Sequence, residues 1–214
     1  MKPTKEYNGR SRIRMFNVDC MDFMEDCDKY DLAIVDPPYG ILNKMGGNTS
    51  LNNKKWDGKK WDELPKKEYF NTLFNISKNT VVFGANYFTE HLESNKKWIV
   101  WDKMLYQDQS HVELIWTSFE GADRMFKFSK SNLQGFRNPN RFHPTEKPIN
   151  IYKYILKNHA KEGDTILDTH GGSMSIAIAC WDLGFDLDII ELDEDYFNDA
   201  VKRFEQHISQ TQLF

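Results

Sequence analysis

The stretch Asp36-Pro37-Pro38-Tyr39 sets a carboxylate, two prolines and an aromatic ring side by side. Each proline fixes φ and removes a backbone donor, which leaves the carbonyls as unopposed acceptors. Asp36 precedes a proline and is therefore pushed toward extended backbone. A carboxylate, a carbonyl and a ring face together suit a ligand with an NH₂ group on a flat ring. Two acceptors would take the two amino hydrogens while Tyr39 stacks on the ring. The plainer alternative is a proline-rich turn with Tyr39 as packing. A second constellation lies near the carboxyl end, where Asp168 is followed by Gly171-Gly172-Ser173 and then by Glu191. Glycines let backbone approach a ligand, and an acid after the next strand can hold two ribose hydroxyls. Glycine pairs also make ordinary tight turns. This one has no Walker lysine, so phosphate cradling is the poorer reading.

Both constellations need elements to position them. Residues 31–35 form an apolar run that stops at Asp36-Pro37, as a buried parallel strand does, and this predicts Asp36 at a strand's carboxyl end. Pro65 opens a predicted helix to about Lys78, and strands follow over 80–85, 97–102 and 111–119. Residues 120–146 read as polar, aromatic and irregular, and Pro148 starts a helix to about His159. The last third reads as a strand over 164–168, a helix from Met174 to about Leu183, a strand over 186–192 and a helix to about His207. Strands alternating with helices predict an α/β fold with a doubly wound parallel sheet. Residues 44–62 are polar and aperiodic, which predicts a long mobile loop.

A chain of 214 residues with 40% hydrophobic content predicts one domain without an interdomain linker. No apolar run approaches the roughly 20 residues of a membrane span, and the amino terminus has no signal-peptide character. Cys20, Cys27 and Cys180 form neither an even framework nor a C-x-x-C pair. Disulfides and a zinc site are not expected, and a reduced, cytoplasmic protein is. The net charge of -4 conceals a segregation. Arg124 to Lys161 carries nine bases and one acid, a net of +8, whereas Glu162 to Glu205 carries twelve acids and two bases, a net of -10. Six lysines between Lys54 and Lys67 are interleaved with Trp56 and Trp61. Such runs can be plain solvated faces, and they also suit a polyanion bound on one side.

Asp36-Pro37-Pro38-Tyr39 resembles the catalytic motif of S-adenosylmethionine-dependent DNA amino-methyltransferases. His143-Pro144-Thr145-Glu146-Lys147-Pro148 is similar to their H-P-T-x-K-P element. "ILDTHGGSMSIAIAC" resembles their cofactor motif, usually D-P-F-x-G-S-G-T, and "IIELDEDYFNDA" its acidic-strand continuation. "NVDCMDFM" resembles the segment that holds the cofactor's adenine. The catalytic motif precedes the cofactor motif, which is the order of the circularly permuted group. The resemblance implies a Rossmann-like, doubly wound, mostly parallel sheet of the class I methyltransferase type across residues 1–214. It implies a small recognition subregion within 102–142. It also implies S-adenosylmethionine as methyl donor, with no metal. Asp36, Pro37, Pro38 and Tyr39 would be catalytic. Asp19 and Cys20 would take the adenine, and Glu191 the ribose. Asp36, Asp168, Gly171, Gly172 and Ser173 would border the methionine end, and Thr145 and Lys147 would join the cofactor set. Lys147 has the alternative of a surface lysine near a helix start. His143 and His170 are expected to be structural. Three residues depart from the family pattern: Thr169 replaces a proline, His170 an aromatic, and Met174 the second glycine. Met174 would either crowd the methionine end or merely cover it.

The expected reaction is methyl transfer to the N6 amino group of adenine in DNA, because the family's D-P-P-Y form goes more often with adenine and its S-P-P-Y form with cytosine. N4-cytosine transfer, an RNA or protein-amide methyltransferase, and an inactive nucleic-acid-binding module are the alternatives. The target base would flip out of the duplex onto Tyr39. No attached endonuclease is recognisable, so a solitary or phage-type enzyme is expected. DNA is the expected partner, and the permuted group's habit implies a homodimer. The tail from Gln210 to Phe214, with apolar Leu213 and Phe214, resembles a Gln-x-x-Leu-Phe motif that docks on bacterial sliding clamps. The alternative for Leu213 and Phe214 is to cover the domain's own core.

Overall fold

The structure, a computed structural model, describes residues 1–40, 63–94, 96–104, 110–129 and 146–211. The predicted loop over 44–62, residues 105–109 and 130–142 of the expected recognition subregion, His143, Thr145, Leu213 and Phe214 lie outside the described residues. The described strands are β1 (Lys5–Asn8), β2 (Arg12–Phe16), β3 (Tyr30–Val35), β4 (Ser77–Phe83), β5 (Trp98–Asp102), β6 (Val112–Thr117), β7 (Arg124–Lys127), β8 (Thr165–Asp168) and β9 (Asp186–Ile190). The helices are α1 (Cys20–Glu25), α2 (Lys67–Ile76), α3 (Ile149–His159), α4 (Ser175–Leu183) and α5 (Glu194–Thr211). The strands form one sheet in the order β1-β2-β9-β8-β3-β4-β6-β5-β7. From β2 through β4 every neighbouring pair is parallel. β6 runs antiparallel to β4 and β5, and β1 runs antiparallel to β2.

Alternating residues of each strand feed two cores, one on each face of the sheet. Leu32 and Ile34 of β3 join a cluster with Ile151, Ile155, Ile176, Ile178, Phe197 and Phe204, under α3, α4 and α5. Ala33 and Val35 join the other, with Phe23, Tyr69, Phe70 and Leu73, under α1 and α2. The result is a three-layer α/β/α domain. α4 is buried along almost its whole length, so its sequence, IAIACW, shows no polar face. Each such aliphatic side chain contributes about 1.5–3 kcal/mol on burial.

Four elements have no counterpart in the sequence reading: β1, β2, α1 and β7. β1 and β7 are edge strands of four residues with mostly exposed side chains, so neither carries an apolar run. β6 and β7 also give residues 112–117 and 124–127 of the expected recognition subregion a place in the sheet. α5 continues to Thr211, past the expected end near His207, so Gln210 is helical and not part of an extended tail. Among the described residues no helix is long and apolar enough to cross a membrane.

Candidate active site

Because β2, β9, β8, β3 and β4 run parallel, their carboxyl ends share one edge of the sheet. Asp36 follows β3, Asp168 ends β8, and Glu191 follows β9 there. The antiparallel β6 brings its amino end to the same edge, with Phe83 opposite Ile115 and Glu113 two residues further out. β5 is antiparallel to β6, so Lys103, just past its end, returns to this edge as well.

Asp36 is enclosed by charge. Its Oδ2 accepts from Lys147 Nζ at 2.5 Å, and its Oδ1 accepts from the Tyr39 hydroxyl at 2.5 Å. Lys147 Nζ lies 3.1 Å from Glu113 Oε1, and Tyr39 OH lies 3.2 Å from the same oxygen. Lys103 Nζ holds Glu113 Oε2 at 3.0 Å. Lys147 is only 5% exposed, so the alternative of a surface lysine is corrected: it belongs to a buried ionic cluster. The structure sets its ammonium against Asp36. Burial raises the Asp36 carboxyl above its usual range, with Glu113 adding to the rise and Lys147 opposing it. Burial also raises Glu113, but Lys147 and Lys103 outweigh it and hold that carboxyl down at about 2. Burial lowers Lys147, yet Asp36 and Glu113 more than restore its charge.

Tyr39 is fixed from several sides. Gly84, just past β4, is left-handed at φ 59, and a Cβ there would stand 2.3 Å from the Tyr39 ring. Only glycine meets both demands. The short 3-10 turn Ala85–Tyr87 then stacks the half-exposed Tyr87 ring on Tyr39, with centroids 4.9 Å apart and planes at 14°.

The turn after β8 is held mainly by backbone donors. Asp168 accepts from His170 N–H at 3.0 Å, and burial raises its carboxyl to about 8. Glu191 accepts from Gly172 N–H at 2.7 Å and from Asp193 N–H at 2.9 Å. Asp19 caps α1 by accepting from Met21 N–H at 2.7 Å. Cys20 Sγ approaches His170 Nε2 at 4.0 Å, which joins the Asp19-Cys20 segment to the turn. Burial lowers His170 to about 4, so the ring is neutral, and it sits in a chain through Thr169 to the Tyr69 hydroxyl. Arg203 of α5 donates to the Ser173 carbonyl at 2.7 Å and pairs with Glu146 at 2.9 Å. Met174 takes the left-handed conformation at φ 52, and its side chain is buried in the core cluster of α3, α4 and α5. For a residue with a Cβ this costs roughly 1–2 kcal/mol, which apolar burial offsets.

Of the residues singled out from sequence, Asp36, Tyr39 and Lys147 meet in one cluster, and Asp19, Cys20, Asp168, Gly171, Gly172, Ser173 and Glu191 gather around the neighbouring turn. Pro37 is buried between them in sequence and Pro38 is half-buried. Sequence reasoning missed Glu113, Lys103, Tyr87 and Arg203. A signal existed for Glu113, a carboxylate inside the apolar strand VELIWT. The turn and the segment beside it bring together the carboxyl groups of Asp19, Asp168 and Glu191. Such a set fits a donor-rich ligand with an amino group, a ribose diol and a cationic end.

A family model described as DNA methylase, of the N6/N4 methyltransferase type, matches residues 85–202. The chain is 22% identical to the type II methyltransferase M2.DpnII of Streptococcus pneumoniae, over 94% of this chain and 93% of that one. It is also 22% identical to the type II methyltransferase M1.MboII of Moraxella bovis, over 87% of this chain and 94% of that one. In fold it resembles the M1.HpyAVI–SAM complex with a TM-score of 0.62 at 19% identity, covering 89% of this chain and 99% of the other. It likewise resembles the cytosine-N4-specific PvuII DNA methyltransferase with a TM-score of 0.61 at 14% identity, covering 92% and 90%. With the family match spanning more than half of its residues, the chain belongs to the N6/N4 DNA methylase family.

Proposed function

We propose that this protein transfers the methyl group of S-adenosylmethionine to the N6 amino group of adenine in DNA. The observation that carries the reading is Asp36 beside Tyr39 at the end of β3, on the edge where Asp168 ends the neighbouring strand β8. Bound at the turn after β8, S-adenosylmethionine supplies an activated methyl on a sulfonium. Asp19 and Cys20 take its adenine, Glu191 its ribose, and Asp168 with Gly171, Gly172 and Ser173 its methionine end. Thr145 belongs to the same set by its motif. The raised Asp168 carboxyl suits a ligand whose positive charge would ionise it.

The exocyclic amine is a weak nucleophile because its lone pair is delocalised into the ring. Asp36 is too weak a base to deprotonate it. Asp36 and the Pro37 carbonyl instead accept the two amino hydrogens and turn the lone pair toward the methyl group, while Pro38 holds the backbone stiff and Tyr39 stacks on the flipped base. Positioning and electrostatics supply the acceleration. As the N–C bond forms the S–C bond would break, and the surplus proton of the methylated, now acidic amine would pass by way of Asp36 to solvent. Analysis of modified nucleosides in DNA treated with the protein tests the reading. N6-methyladenine is expected, and a product that is only N4-methylcytosine overturns the adenine assignment. Cytosine is the second reading, favoured by the fold likeness to the PvuII enzyme. Methyl transfer to RNA or protein with none to DNA overturns the substrate class.

Residues 102–142 are proposed to read the target sequence, with the lysines between Lys54 and Lys67 as a clamp over the DNA. A homodimer is proposed and is checked by sedimentation. The clamp-docking tail is proposed on Gln210, Leu213 and Phe214, with the unwinding of the last turn of α5 as an added requirement. Equal binding to purified sliding clamp by the full chain and by a form lacking 210–214 overturns it.

A further inference from the structure

Both groups that occupy Asp36 share a second acceptor. The Tyr39 hydroxyl sits 2.5 Å from Asp36 Oδ1 and 3.2 Å from Glu113 Oε1. Lys147 Nζ sits 2.5 Å from Asp36 Oδ2 and 3.1 Å from that same Glu113 Oε1. Glu113 cannot swing away, because Lys103 holds its other oxygen at 3.0 Å. Glu113 is nearly buried, with a side chain 10% exposed. A buried carboxylate costs much free energy unless it is paired, so its place at this edge calls for an account.

A phenol has one proton to donate. While that proton lies on Asp36 Oδ1 and Lys147 lies on Oδ2, both oxygens carry a donor already. Each oxygen keeps a second lone pair, but its charge is already partly satisfied by that donor, so an amino group from outside meets a weakened acceptor. We infer that Glu113 is a positioning residue that receives the Tyr39 hydroxyl and draws Lys147 toward itself when the target amino group reaches Asp36, so that Asp36 is freed as an acceptor. Only hydrogen bonds are exchanged: the phenol keeps its proton, the lysine stays an ammonium, and net charge is conserved. Lys103 completes the set by keeping the receiving carboxylate ionised and fixed. The inference rests on Asp36 being the acceptor of the target amine.

The groups facing Asp36 are Lys147 and Tyr39 in contact, with Glu113, Asp168, Tyr69 and Tyr152 within electrostatic reach. Glu113→Gln removes the negative charge that, beside burial, raises the Asp36 carboxyl. The acid limb of the transfer rate, which reports ionisation of Asp36, therefore moves to lower pH.

The test is single-turnover methyl transfer to DNA by the full chain, with cofactor affinity measured by calorimetry. It compares the wild type, Glu113→Gln, Tyr39→Phe and the double variant. Glu113→Gln is expected to slow transfer by about tenfold. Cofactor affinity is expected to stay unchanged. In the Tyr39→Phe background there is no hydroxyl to receive, and the Glu113→Gln penalty is expected to shrink by about threefold. Penalties that simply multiply in the double variant overturn the inference, as does a wild-type rate or an unmoved acid limb in Glu113→Gln. If Glu113→Gln does not fold, Glu113→Asp carries the same comparison, because it keeps the charge by Lys103 and withdraws it from Tyr39 and Lys147. A wild type that methylates no DNA overturns the proposed function itself. An active wild type with multiplying penalties overturns only the role of Glu113.

Discussion

The turn after β8 and the cluster after β3 lie at the same sheet edge and are stabilised in different ways. At the turn, carboxylates are held by backbone N–H groups: Asp168 by His170, and Glu191 by Gly172 and Asp193. After β3, side chains hold one another across long stretches of chain, Asp36 to Lys147 and Tyr39 to Glu113. Backbone donors cannot be mutated away singly and do not themselves titrate, although the carboxyl groups they hold can. A buried ionic cluster depends on each member, and the loss of one strands the others. Substitutions after β3 should therefore act abruptly and those around the turn by degrees.

The largest effect is expected from Lys147→Met. It leaves Asp36 and Glu113 buried beside each other without their shared cation, and the fold should lose about 3–5 kcal/mol in denaturant titration. A loss no larger than that of a surface lysine would erase the contrast. Asp36→Ala comes next. Transfer should fall by about a hundredfold or more, because the acceptor aimed at the reacting amine is gone. Cofactor affinity should persist in calorimetry, and a wild-type turnover would sink the catalytic scheme.

A pH slope is expected at the turn. The Asp168 carboxyl is raised by burial to about 8, above its unfolded value. The neutral acid therefore favours the folded, cofactor-free protein. That contribution is fully present below about pH 4. It is lost as the pH rises through about 8. Melting temperatures across this range should show the decline, and Asp168→Asn should flatten it. The smallest effect belongs to Arg203→Ala. The Ser173 carbonyl loses its donor while the backbone bonds of the turn remain, so cofactor affinity should weaken by about fivefold. Collapse of cofactor binding in that variant would mean that side chains, and not the backbone, hold the turn.

The turn was the more legible region because its parts are close in the chain. A strand ending in an acid, a glycine pair, a helix and a second acid is a local pattern, and alternation of strands with helices predicted the sheet that frames it. β1, β2, α1 and β7 were harder, since none carries a long apolar run, and the edge strands β1 and β7 are mostly exposed. Met174 was legible as a departure but not as a consequence. The turn requires positive φ, which Met174 adopts while its side chain joins the core.

The strand that delivers Asp36, the stiff Pro37-Pro38 step behind it and the acid–glycine–acid order of the turn could be read from the chain alone, because each lies within one stretch of contiguous sequence. The burial of Lys147 against Asp36, with Glu113 and Lys103 behind them, joins residues that are far apart in the chain. Those placements depend on β6 running antiparallel to β4 and on the register that sets Phe83 opposite Ile115. Strand order and register are settled by the packing of the whole sheet against its two helical layers, and no short stretch of sequence carries that information.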